Sequence, residues 1–274
     1  MKLLVVGGGK MGEALVSGLI ATSWCTASDI TIVEPLAARR DELVSLIPGA
    51  HIAAGVPDPQ SGAAGETSFV VDTVVIAVKP YDVPLACQQV RHLNAQRIIS
   101  IAAGVRIETL QKNLEENDRV IRAMPNTPAL IGQGASAMAG SANCRAEDIL
   151  IAQEILGAVG TVVTVNEIQL DAVTGLSGSG PAYVFLVAEA LIDAGVAVGL
   201  TREVATILAH QTVAGAGAML MSSTKTATEL RAQVTSPGGT TAAGVTVLEN
   251  AATRAAFINA VAAATNRSIE LGSA

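Results

Sequence analysis

Short strand-like runs, rich in Val and Ile, mark the first part of the chain, at 3–6, 30–33, 70–78, 97–101 and 119–124. The first is continuously apolar, as expected of a strand buried on both faces. Helix-period spacing occupies intervals between them, at 13–20 and 81–91. The stretch 51–66, rich in Gly, Ala, Pro and Asp, predicts a short strand and a loop. Strands alternating with helices through about residue 160 predict a mostly parallel, doubly wound sheet. Beyond about Val165 the strand-like runs stop, and alanine-rich helical stretches replace them at 180–198, 201–221, 240–250 and 254–271. The pattern predicts an α/β fold in two parts, a sheet-forming domain over 1–164 and an all-helical domain over 165–274.

Chemistry enters where the first strand ends. Gly7, Gly9 and Gly12 occupy the positions of a G-x-G-x-x-G string between a strand and a helix, the context in which that string binds a dinucleotide. The first glycine permits the turn, the second lets a pyrophosphate approach the backbone, and the third lets helix and strand pack closely. Glu34 ends the second apolar run and stands where an acid accepts hydrogen bonds from the adenosine ribose, which favours NAD. Arg39 and Arg40 follow and could instead meet a 2′-phosphate or simply be solvated, so NAD and NADP both stay open. Lys79, at the end of the run 70–78, sits where such a sheet presents its crevice, and could contact ribose or nicotinamide. Ala102-Ala103-Gly104 forms another small-residue turn. Asn126, in the rigid turn Pro125-Asn126-Thr127-Pro128, is a candidate to orient nicotinamide or substrate.

Composition narrows the partners. The 274 residues are 50% hydrophobic and 15% charged, but only 2% aromatic, which leaves few stacking platforms for single-stranded nucleic acid. A net charge of −7 argues against a phosphate-backbone binder. Cys25, Cys87 and Cys144 are scattered without CxxC spacing, so neither a disulfide framework nor a zinc site is expected. His51, His92 and His210 stand in no catalytic or metal-ligand arrangement, and no metal is expected. The N-terminal apolar run is too short for a signal peptide. Glu189 and Asp193 interrupt the apolar stretch after Pro181, so a cytoplasmic protein without a membrane span is expected. The helical domain carries more Ala, Val, Leu and Ile than its interior can hide, which predicts an obligate dimer.

Four groups of residues carry a family resemblance: GGGKMGEAL from Gly7, AVKP at 77–80, RAMPNTP at 122–128, and the pair LSGSGPAY (176–183) and SPGGTT (236–241). Over essentially its whole length the chain resembles the pyrroline-5-carboxylate reductases, and generic dinucleotide-binding proteins do not carry the last pair. The resemblance implies a Rossmann domain, an interlocking helical dimerisation domain, often higher oligomers of dimers, and reduction of 1-pyrroline-5-carboxylate to L-proline with NADPH or NADH. It implies that Val6, Gly7, Gly8, Gly9, Lys10, Met11 and Gly12, with Ala77, Val78, Lys79, Pro80, Ile101, Ala102 and Ala103, line the dinucleotide. It also sets Glu167, Thr240 and Thr241 at the substrate site. Members that use NADPH often have a small polar residue where Glu34-Pro35 stands here, which weighs against a strong NADPH preference.

The residues themselves agree with an imine as substrate. The amides of Gly238, Gly239 and Thr240, ahead of a helix, would form an anion site for a carboxylate. Thr241 is the best-placed hydroxyl to hydrogen-bond the ring nitrogen and deliver its proton, with Ser236 as a second hydroxyl. A hydroxy-acid dehydrogenase of the same architecture would call for a His or Lys base, and Lys225 is the only lysine of the second domain. A nucleotide-sensing regulator would have no use for a second anion loop.

Overall fold

A computed structural model describes residues 1–57, 71–115 and 118–273. Most of the predicted loop within 51–66, and the first residue of the strand predicted at 70–78, lie outside them. The chain forms two compact units, Met1–Gly178 with Ala263–Ala274, and Ser179–Ala262.

The first unit holds eight strands: β1 Leu3–Val6, β2 Ile30–Val33, β3 His51–Ala53, β4 Thr73–Ile76, β5 Arg97–Ser100, β6 Val120–Met124, β7 Gly134–Gly140 and β8 Gly160–Thr164. They form one sheet in the order β3-β2-β1-β4-β5-β6-β7-β8. All pairs are parallel except β6 with β7. Its helices are α1 Lys10–Ala21, α2 Ala37–Leu46, α3 Val83–Val90, α4 Ile107–Lys112, α5 Ala146–Gly157 and α6 Leu170–Val173.

Successive side chains of a strand point to opposite faces, and the apolar runs are long enough to feed both. Leu4, Val6, Val74, Ile76 and Ile98 pack on one face with Val83 of α3 and Leu110 of α4. Leu3, Val5, Ile30, Ile32, Val75 and Ile99 pack on the other with Leu15 of α1, Leu43 of α2 and Ile155 of α5. Each such side chain, taken fully out of water, contributes about 1.5–3 kcal/mol. The sheet is thus doubly wound. At the start of β5 Arg97, 1% exposed, pairs with the fully buried Asp148 at 3.0 Å and donates to Thr73 Oγ1 at 3.0 Å.

The second unit comprises α7 Gly180–Ala197, α8 Arg202–Ser222, α9 Ala227–Gln233 and α10 Thr240–Asn250, with the first part of α11 Thr253–Ser273. The stretch 165–178, on the helical side of the composition change, belongs to the first unit, as do the last twelve residues, 263–274. α7 packs on α8 where Gly195 meets Ala205, since a Cβ on Gly195 would stand 3.0 Å from that of Ala205. Ala205 and Ala209 are the buried apolar residues of this unit among the described residues. Two helical stretches, Glu167–Ala197 and α8, are long and apolar enough to cross a membrane by length and composition.

Candidate active site

The order of the strands decides where a ligand goes. From β1 the chain runs outward through β2 to β3, then returns to place β4 on the other side of β1. At such a reversal the loops leaving two adjacent strands diverge and open a crevice at their carboxyl ends. Val6 is in register with Val33 on one side and Ile76 on the other, so the loops after β1, β2 and β4 leave the sheet at one level. Backbone bonds from Gly7 N to Val33 O and from Ala77 N to Val6 O, 2.9 and 2.8 Å, extend the ladders into these loops.

The crevice is a cleft of about 630 Å³. Gly7, Gly9, Lys10 and Met11 form its floor, Ala77, Val78, Lys79 and Pro80 one wall, and Ile101, Ala102 and Ala103 the next. Glu34 closes the side toward β2. Gly7 adopts φ +109°, and a Cβ there would lie 2.6 Å from Ala77 O. A Cβ on Gly9 would meet no protein atom within 4 Å, so its space faces the open cleft. Gly9 is also the N-cap of α1 and supplies no side-chain cap, leaving the first amides of the helix for an anion. Open glycine, uncapped helix and cleft together fit a dinucleotide pyrophosphate.

Three of the expected cofactor residues stand behind this surface. Val6, 4% exposed, and Gly12 are buried beneath the loop, and the Gly8 amide donates to Glu34 Oε2 at 3.2 Å. Asn126 also stays out of the lining. Its Nδ2 donates to Ser177 O at 3.0 Å and its Oδ1 accepts from Ala135 N at 2.8 Å. It therefore ties the turn after β6 to β7 and to the π-helical turn Thr174–Gly178, bringing the motifs RAMPNTP and LSGSGPAY into contact. Met124, Pro125, Thr127 and Leu130 line the cleft in its place, and Pro35, Leu36 and Asp82 complete it. Met124, Pro125 and Thr127 belong to a motif already singled out. Leu36 lies just before α2, and Asp82 and Leu130 in short 3-10 turns, and none of the three was marked as a site residue by the sequence.

Behind the Ile101–Ala103 wall, Gly104 at φ +77° faces the end of α11, where a Cβ on Gly272 would lie 2.9 Å from Gly104 O. Charged groups fasten this region. Glu167 Oε1 accepts from Ile107 N at 2.7 Å, capping α4, and from Arg122 Nη1 at 3.3 Å. Asp171, 2% exposed, takes Arg106 at 3.3 Å and Arg122 at 3.6 Å, and accepts from the Ser268 hydroxyl at 2.8 Å. Glu167 is thus anchored within the first unit. Burial pushes the Cys87 thiol up to about 12, too high for a nucleophile at neutral pH.

The second glycine loop lies in the second unit. Gly238 adopts φ +70°, and Gly239 N donates to Ser236 O at 3.0 Å, closing a tight turn onto α10. Gly239 is the N-cap of α10, again without a side-chain cap, so a second helix start is open to an anion. Ser236 and Thr240 are exposed and Thr241 half-buried. Among the described residues, neither threonine hydroxyl takes a hydrogen-bond partner.

Residues 167–271 match the family described as pyrroline-5-carboxylate reductase dimerisation, and residues 2–104 match the coenzyme F420-dependent NADP oxidoreductases. A pyrroline-5-carboxylate reductase of Synechocystis is 42% identical over 273 residues, covering 99% of this chain and 98% of the relative. The chain belongs to the pyrroline-5-carboxylate reductase family. Among solved structures, the family member from Coxiella burnetii superposes with a TM-score of 0.89 at 36% identity, covering 98% of each chain. The Plasmodium falciparum member, solved with NADP bound, gives 0.83 at 29% identity, covering 99% of this chain and 98% of its own. The family thus spans both units, the cleft and the second glycine loop alike.

Proposed function

We propose that the chain reduces the cyclic imine 1-pyrroline-5-carboxylate to L-proline, the last step of proline biosynthesis, with NADH or NADPH. The observation that carries this reading is the presence of two helix starts without side-chain caps, each behind a glycine loop. One, at α1, opens on a dinucleotide cleft. The other, at α10, offers uncapped amides to a small carboxylate.

When bound, the nicotinamide supplies the hydride. The first amides of α1, behind Gly9, would hold the pyrophosphate, Glu34 the ribose, and the segments 77–80 and 101–103 the nicotinamide half. The amides of Gly238, Gly239 and Thr240 hold the substrate carboxylate, and Ser236 steadies the turn that presents them. Thr241 donates its hydroxyl proton to the ring nitrogen and recovers one from solvent. Glu167 holds the start of α4. An imine has no hydroxyl to be deprotonated, so no histidine or lysine base is required.

The exposed apolar faces of α7 and α8 fit a homodimer, and we place that dimer in the cytoplasm, with a second copy rather than lipid covering both helices. The purified protein is expected to oxidise NADH or NADPH with pyrroline-5-carboxylate and to show no reverse turnover with hydroxy acids. The opposite pattern would mean a hydroxy-acid dehydrogenase. Thr241→Ala should lower kcat by roughly 10²- to 10⁴-fold while melting temperature and cofactor affinity hold. Full activity in that variant would remove Thr241 from proton delivery.

A further inference from the structure

The Glu34 carboxylate is fixed before any ligand arrives. Its backbone amide donates to Ala53 O at 2.9 Å, continuing the β2–β3 ladder. Its side chain then turns back against the glycine loop. Oε2 accepts from Gly8 N at 3.2 Å and Oε1 from Leu36 N at 2.9 Å. The residue is 7% exposed and its remaining surface lines the cleft. A carboxylate has about four acceptor sites, so the two amides leave capacity for two more donors. A vicinal diol supplies two such donors.

Three nearby cations, Arg39, Arg40 and Lys10, each donate to a protein acceptor. Arg39 donates through Nε to Gly8 O at 2.8 Å, through Nη1 to Glu42 at 2.6 Å and through Nη2 to Glu13. Arg40 Nη1 turns onto backbone, to Glu34 O at 3.0 Å and Pro35 O at 2.7 Å. Lys10 is paired with Glu13 at 3.1 Å. Glu13, Glu34 and Glu42 thus balance Lys10, Arg39 and Arg40 charge for charge. A phosphate ester at the ribose 2′ position would bring nearly two further negative charges against Glu34.

We propose that Glu34 selects NADH over NADPH in this enzyme, accepting the free ribose hydroxyls and repelling a 2′-phosphate. The proposal rests on the dinucleotide reading of the cleft, and its test needs no turnover. The full-length protein is titrated with NADH and with NADPH, following nicotinamide fluorescence in the absence of imine. NADH should bind at least about tenfold more tightly, and the gap should narrow as salt rises from about 50 to 500 mM. Glu34→Gln keeps an acceptor but removes the charge, and should shrink the gap to within about threefold, chiefly by strengthening NADPH. Arg40→Ala should leave the ratio where it was.

Equal or tighter binding of NADPH by the unaltered protein overturns the proposal. So does an unchanged ratio in a Glu34→Gln variant of normal melting temperature, or a selective loss of NADPH binding in Arg40→Ala. Should Glu34→Gln not fold, the salt series decides, and a ratio indifferent to salt overturns the proposal. Binding of neither cofactor overturns the dinucleotide reading as well. Absence of turnover with the imine, despite selective NADH binding, would count against the reductase reading alone.

Discussion

In the first unit every residue of β1, β2, β4 and β5 is buried. In the second, neither α7 nor α10 has a buried residue, and α8 has two alanines. Phe185, Leu186 and Ile207 of the second unit are more than 60% exposed. Both core clusters lie within the first unit. A sheet with helices on both faces hides apolar surface inside one chain. A few helices rich in small side chains cannot, and their stability must come from what covers them. The first unit should therefore unfold independently of protein concentration, and the second should not.

The most forceful way to break that contrast is to charge the exposed face. α7 and α8 flank a groove of about 430 Å³ that includes Phe185, Glu189 and His210. Phe185→Asp should abolish the proposed dimer in light scattering and lower the helical signal in circular dichroism, because a buried unpaired carboxylate costs several kcal/mol. A fully folded monomer from this variant would show that the second unit stands alone. Next is the buried pair in the first unit. Arg97→Met should cost about 3 kcal/mol in denaturant melts, equally at low and high protein concentration.

The same pair has a pH signature. Burial works against the Asp148 charge, but hydrogen bonds from the Arg145 amide, Arg97 and Arg119 outweigh it and hold the carboxyl below its ordinary value. A carboxyl depressed by folding stabilises the fold above its unfolded pKa, and that contribution is lost as pH falls below about 4. Arg97→Met should flatten this acid limb. The smallest effect is expected from Ile99→Val, about 1 kcal/mol and again independent of concentration.

The sequence was most legible where one physical demand acted alone. β1 had to be apolar on both faces, and it read as a strand. β7, GASAMAG, is buried at most positions yet built from small residues with low strand preference, so its pattern carried no such signal. The composition change near Val165 was visible, but the affiliation of 165–178 and 263–274 with the first unit depends on partners distant in sequence. At the cleft, the glycine loop and the turn 102–104 were legible because a close backbone approach demands small residues, and Lys79 because it ends a strand. Asn126 was harder to place. A turn asparagine looks the same whether it faces a ligand or, as here, satisfies two backbone groups.

The bond between Ser268 and Asp171 joins groups 97 residues apart in sequence. Translation proceeds from the N-terminus, so Asp171 emerges from the ribosome well before its partner exists. At about 5–20 residues per second the delay is roughly 5–20 s, during which the wall behind the Ile101–Ala103 turn lacks its last piece. The first unit is thus the earlier to be synthesised and the later to be finished. The packing behind its Ile101–Ala103 turn is complete only after the whole helical region has been made.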